Sequence, residues 1–204
     1  MIRHALTALL ALGASGCLTP LDPIMPDLAR AQVASDLDTY RLERIGLLPF
    51  SGEVLPARRR AELQQALHTE LSGAGPYELV LLTEKDLAEI ETSEPYKRGW
   101  YRPRTIIDLS QRYQLDGLLV GTVTQLRFYP PQILGLQVDL VASETGLVVW
   151  SAQVHLDAED RMVRQGLDIF YSGDRDRQAG KLALLSPERF ARFAVFQVGR
   201  AFAR

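Results

Sequence analysis

Residues 115–157 read LDGLLVGTVTQLRFYPPQILGLQVDLVASETGLVVWSAQVHLD, and this stretch decides the fold. Leu115 to Phe128 is long and apolar enough for a central strand, with Gly117 and Gly121 allowing close packing or a bulge. Pro130-Pro131 breaks the run. In the next strand Leu134, Leu136, Val138, Leu140 and Ala142 share one face, opposite Gln137, Asp139 and Ser143. Glu144-Thr145-Gly146 has the composition of a hairpin turn. Val148, Trp150, Ala152, Val154 and Leu156 then line one face of a third strand, with Ser151, Gln153, His155 and Asp157 on the other. Such alternation predicts an antiparallel meander with one buried face.

Upstream, Arg44 to Phe50 reads as a buried strand, ended by Pro49 and the turn Ser51-Gly52. Pro56 suits a first helical position, and Leu63, Ala66, Leu67 and Leu71 form the apolar stripe of a helix. Arg58, Arg59 and Arg60 occupy its first turns, the unfavourable end for cations beside a helix dipole. They are expected either to pair with Glu62 and other acids or to face an anionic partner. Tyr77 to Leu82 is a second strand. Thr83 with Asp86 resembles a capping box, with Asp for Glu, opening a short helix to Ile90. An irregular loop over 92–104 leads to a helix marked by Ile106, Leu109 and Tyr113. Two helices close the chain, about Glu159 to Tyr171 and from Ser186 as cap to about Ala203. The expected class is therefore α/β (α+β): a mixed sheet of about five strands ending in the meander, with helices packed on it.

The 204 residues are 47% hydrophobic and 24% charged, which excludes an intrinsically disordered chain. A net charge of −2 gives no electrostatic reason to expect nucleic acid as a partner. Residues 1–16, MIRHALTALLALGASG, carry a positive start at Arg3, an apolar run over Ala5–Leu12 and small residues at the end. These are the three parts of a secretory signal, and the run is too short for the ~20 residues of a spanning helix. The single cysteine, Cys17, follows Ala14-Ser15-Gly16 directly. It cannot form an internal disulfide, so its presence in an exported chain asks for another role.

Ala14 to Cys17 resembles the lipobox of bacterial lipoproteins, with Ala14 where Leu is commonest. The resemblance implies cleavage before Cys17, a diacylglycerol on its sulfur and acylation of its new amine. The membrane is then the first expected partner, since two or more acyl chains anchor stably where one does not. Leu18, rather than Asp, follows Cys17, which by the same resemblance implies the periplasmic face of the outer membrane over the inner membrane. Residues 17–39 are expected either as a short tether, with Pro20, Pro23 and Pro26 favouring an extended path and a helical turn or two over Asp27–Leu37, or as a segment packed on the domain. Residues 40–204 are expected to form a single periplasmic domain with two C-terminal helices.

RIGLLPF at 44–50, LDGLLVGTVTQL at 115–126 and the Glu144–Ser151 hairpin together resemble the periplasmic domain shared by CsgG-type secretion lipoproteins, LpoB-type synthase activators and the amino-terminal domain of TolB. These are fold motifs. The resemblance implies an envelope module working through protein contacts, in assembly, export or regulation of a synthase. The tether is shorter than the LpoB type uses, and 92–104 is too short and polar for a CsgG-type membrane hairpin. A ring-forming, non-inserting relative of the PelC type stays open, and with it a homo-oligomer.

No motif for catalysis emerges, and no cofactor or metal ligand set is expected. His4, His68 and His155 show no paired spacing, and no further cysteine joins them. No G-x-S-x-G elbow occurs in the mature chain, and Gly173 to Gly180-Lys181 has the wrong spacing for a phosphate loop. The alternative to an interaction module is an envelope or peptidoglycan-active hydrolase, whose mark would be a cleft with converging acid and base.

Two surfaces are candidates for partner contact. In the 96–104 loop, Arg98, Trp100, Tyr101 and Arg102 belong to the residue types enriched at binding hot spots; the alternative is that Trp100 folds onto the core. On the final helix Arg192 lies among Phe193 and Phe196 opposite the core stripe, a pattern fit for lipid headgroups or a partner unless neighbouring chain covers both rings. Feeding cells an alkyne palmitate should label the mature chain, and Cys17→Ala should abolish the label. Label retained in that variant would remove Cys17 as the anchor.

Overall fold

The computed structural model describes residues 24–52, 55–73, 75–88, 96–97, 100–173 and 178–203. The strands are β1 (Ala29–Val33), β2 (Arg44–Leu47), β3 (Glu78–Leu81), β4 (Tyr96–Lys97), β5 (Trp100–Tyr101), β6 (Gly117–Arg127), β7 (Ile133–Ala142) and β8 (Val148–Asp157). The helices are α1 (Ala57–Leu71), α2 (Glu84–Ala88), α3 (Pro103–Tyr113), α4 (Arg161–Phe170), α5 (Ala179–Ala183) and α6 (Pro187–Phe202). Six strands make one mixed sheet in the order β1-β8-β7-β6-β2-β3. β2 runs parallel to β3 and β6, and the other pairs are antiparallel.

The meander is present as expected, and its alternation decides the layering. Leu134, Leu136, Val138, Leu140 and Ala142 are all buried in the larger core. α1 and α6 cover that face with Leu63, Leu67, Leu71, Phe190, Ala194 and Val198. At ~25 cal/mol per Å² of apolar surface removed from water, this layer is the main source of stability. The face is continuous from β2 to β8 because Gly121 leaves room for Phe50, whose ring would lie 2.5 Å from a Cβ there. A smaller core on the reverse face joins Leu48, Leu82, Leu118, Val120 and Val141 to Ile106 and Leu109 of α3. Beyond α3 the reverse face carries Gln137, Asp139, Ser151, Gln153 and His155. Asp139 is buried there but satisfied, accepting from Gln137 Nε2 at 3.0 Å and Ser151 Oγ at 2.5 Å.

The structure changes the reading of four segments. Between the two closing helices expected from the sequence stands a short third one, α5 (Ala179–Ala183), whose Ala179 and Ala183 are buried in the larger core. Val148 does not join the buried face: the β7–β8 register shifts between Leu140 and Val141, which turns Val148 outward (40% exposed) and Val149 inward (1%). The bulge adds one residue to β8, so alternation slips by one. The 92–104 segment is not wholly irregular, since β4 and β5 pair antiparallel as a separate two-stranded ribbon before α3. Finally, of the two readings of 17–39, packing on the domain describes residues 24–39. β1 pairs with β8 from Ala29–Val154 to Val33–Trp150 and supplies the sixth strand. The helical turns expected over Asp27–Leu37 are not found there: Ala29–Val33 is a strand because it pairs with β8, and a 3₁₀ turn follows at Leu37–Thr39. Pro26 is buried, and Arg200 donates to its carbonyl at 3.1 Å while pairing with Asp27 at 3.2 Å. Pro20 and Pro23 lie outside the described residues.

The capping box at α2 forms in modified form. Asp86 Oδ2 accepts from both the backbone N–H and the hydroxyl of Thr83, each at 2.6 Å, and Oδ1 accepts from the Tyr113 phenol at 2.6 Å. One carboxylate thus starts α2 and ties it to the end of α3. The Thr83 and Tyr113 hydroxyls hold Asp86 below its ordinary carboxylate range. A depressed native value means the stabilisation is present above the unfolded value near 3.9 and is lost as pH falls through the native one. Asp86→Ala should cost about 1 kcal/mol at neutral pH and flatten the loss of stability between about pH 4 and pH 3. Urea midpoints at both pH values test this; equal acid sensitivity in the two proteins would refute it.

Candidate functional site

The first turns of α1 carry a network of paired charges. Arg58 donates to Glu62 at 2.9 Å. Arg59 reaches Glu62 at 2.7 Å and Glu188 of α6 at 2.6 Å, and Arg60 reaches Glu84 at 2.7 Å. Pairing with acids is therefore the fate of this arginine run. Arg58 and Arg59 hold the Glu62 carboxyl below its ordinary range, and Glu188, then Glu62, raise the Arg59 guanidinium. These exposed pairs fix side chains rather than adding much stability.

Beside this network, α1, α6 and the distal ends of β6 and β7 enclose an apolar groove of about 330 Å³, floored by Leu55, Leu63, Ala66, Leu126, Phe128 and Phe190. Its rim includes Arg58, Arg59, Arg127 and Arg192. A shallower and more open depression of about 680 Å³ continues along α1 past Gln65 and Thr69 to Glu70, and Arg58, Glu62, Ala66 and Arg192 border both. Sequence reasoning missed this site. Its floor comes from three stretches far apart in the chain, and the only local hints were the small residues Ala66 and Ala191 where leucines would close the gap.

The candidate residues of the final helix part company. Phe193 is 0% exposed. It lies against Phe170 of α4, with centroids 5.6 Å apart, and a Cβ on Gly166 would lie 2.6 Å from its ring. It is a core residue, because a whole helix covers it, and it is withdrawn as a contact residue. Phe196 is half-buried, 4.5 Å from Phe170, with the Arg200 guanidinium 5.9 Å above its ring. Arg189 packs over Tyr171 and Arg200 clamps the first strand segment, whereas Arg192 stays exposed. Arg102 is exposed at the cap of α3. Arg98 and the side chains of Trp100 and Tyr101, like Cys17, lie outside the described residues.

Among the described residues no group of three or more His, Cys, Asp and Glu is placed to hold a metal, and no helix is long and apolar enough to cross a membrane.

No protein-family profile and no curated protein sequence matches the chain. Among solved structures it is similar to the PelC dodecamer of Paraburkholderia phytofirmans, at 10% identity and a TM-score of 0.46, covering 81% of this chain and 96% of that one. It is also similar to lipoprotein GNA1162 of Neisseria meningitidis (20%, TM-score 0.41, covering 56% and 79%). The LpoB C-terminal domain of Salmonella enterica gives 13% and 0.36, covering 56% and 82%. At these values no function is carried over from any of them.

Phe193→Ala should cost about 3–5 kcal/mol, as for a fully buried aromatic, and Phe196→Ala distinctly less. Denaturation midpoints check the order; similar small losses would return Phe193 to the surface.

Proposed function

We propose that the chain is a lipid-anchored accessory module of the cell envelope, acylated at Cys17, that acts through contacts with proteins and not as an enzyme. The observation that carries this reading is the run Met1–Cys17, a charged start, an apolar stretch and a lipobox-like end bearing the only cysteine of the chain. The fold adds a constraint on reach. Pro26 and Asp27 are held by Arg200, and six residues, hence seven Cα–Cα steps, lead from Cys17 to the first described position, Ile24. At ~3.5 Å per residue they span at most about 25 Å, which keeps the body beside its own leaflet. The partners are then envelope proteins at or near that membrane, which by the residue after Cys17 is the outer one. Arg102 at the cap of α3 and the uncovered polar face of the meander around Gln153 are the contact surfaces on offer.

A photoreactive amino acid placed at Arg102 or Gln153 in living cells tests this. Discrete, reproducible adducts with exported or membrane proteins are expected, and they should disappear when Cys17→Ala removes the anchor. Lipid adducts alone, or turnover of a peptidoglycan fragment by the purified chain, would overturn the reading.

A further inference from the structure

The groove between α1 and α6 is apolar where the protein could have closed it with a larger side chain, and its rim is unbalanced in charge. Four guanidiniums (Arg58, Arg59, Arg127, Arg192) stand around it against two carboxylates (Glu62, Glu188). The carboxylates are spent on Arg58 and Arg59. Arg127 donates its Nε–H to the Pro131 carbonyl at 2.6 Å, and neither it nor Arg192 has an ion-pair partner within 4 Å among the described residues, while the Glu70 carboxylate on the adjoining shelf acts on Arg192 at longer range. A site of about 330 Å³ lies at the lower end of the range for small-molecule pockets. Its shape is one-sided: an apolar floor over Leu63, Ala66, Leu126 and Phe190, with Arg127 on its rim and Arg58, Glu62 and Arg192 at the border where the open shelf begins.

We propose that this groove binds a single alkyl chain bearing a phosphate, the chemistry of a lysophospholipid, with the chain on the apolar floor and the phosphate on Arg127 and Arg192. With Glu70 acting on Arg192 from the shelf, groove and border carry four guanidiniums against three carboxylates, an excess of one positive charge that matches the single negative charge of a phosphodiester headgroup. Guanidiniums also present paired donors to phosphate oxygens. The floor takes the tail for the reason that it buries the α1–α6 stripe, removal of apolar surface from water. This site is independent of the anchor at Cys17 and of the protein contacts proposed above.

The test uses the full chain in phosphatidylcholine nanodiscs and two probes, dodecyl phosphate and dodecanol, each carrying a diazirine near the chain end. After irradiation, peptide mapping should place dodecyl phosphate adducts on 63–66, 126–134 and 190–191, and excess unlabelled dodecyl phosphate should displace them. Arg127→Glu combined with Arg192→Glu should lower phosphate-probe labelling at least tenfold and leave dodecanol labelling unchanged; both residues are exposed, and an unmoved thermal midpoint confirms the fold. Ala191→Trp should block both probes. Equal labelling by the two probes, adducts only outside the groove, or indifference to the charge reversal would each overturn the proposal. So would crosslinks from the groove to residues 17–23 or to a second copy that persist in excess dodecyl phosphate, since the groove would then belong to the chain itself.

Discussion

The antiparallel pairing of β6 with β7 is the constraint from which the rest of the architecture follows. Gly117 faces Ala142 at one end and Arg127 faces Ile133 at the other. Once that register is set, five alternate apolar side chains of β7 must point to one side. Only an apolar layer several strands wide can cover them, and α1 and α6 supply it. The polar side chains between them point the other way, where Asp139 survives burial because Gln137 and Ser151 donate to it. β2 and β3 extend the sheet in parallel, and their hydrogen-bonding carbonyls are completed from a helix. Gln64 of α1 is buried and donates to the Leu47 and Leu82 carbonyls at 2.9 and 2.6 Å.

Much of this was legible in the residues because local pattern and tertiary role agree there. The strict alternation of β7, the Ser186-Pro187 start of α6 and the Thr83/Asp86 cap each occur where the sequence placed them. What was not legible has a common cause. The turning of Val148 depends on a bulge settled by how Leu140 meets Trp150, not by the chain's own periodicity. β1 has the sequence ARAQV, with charged and polar residues where an edge strand meets water, and it looks like linker until β8 is seen beside it.

The candidate site divides in the same way. The cationic residues were visible as residues, but their partners were not: Glu188 and Glu84 come to Arg59 and Arg60 from distant elements. Phe193 looked exposed on a helical wheel because a wheel does not know that Gly166 lets α4 approach closely enough to cover it. The groove was invisible altogether, being a gap between three segments rather than a property of any one. Side chains that act alone can be read from spacing, whereas a concavity is made only by assembly.

The attachment of residues 26–33 has a mechanical side. Any tension applied to the chain upstream of residue 24 enters the body through the Arg200 clamp and a five-residue strand that has a neighbour on only one edge. Against such a load the strand has the β8 edge, and the segment before it has the Leu28 N–H to Gln197 bond and the seat of Pro26 beside Gly166 of α4. Release of the strand lengthens the tether by ~3.4 Å per residue, and re-pairing with β8 recovers it.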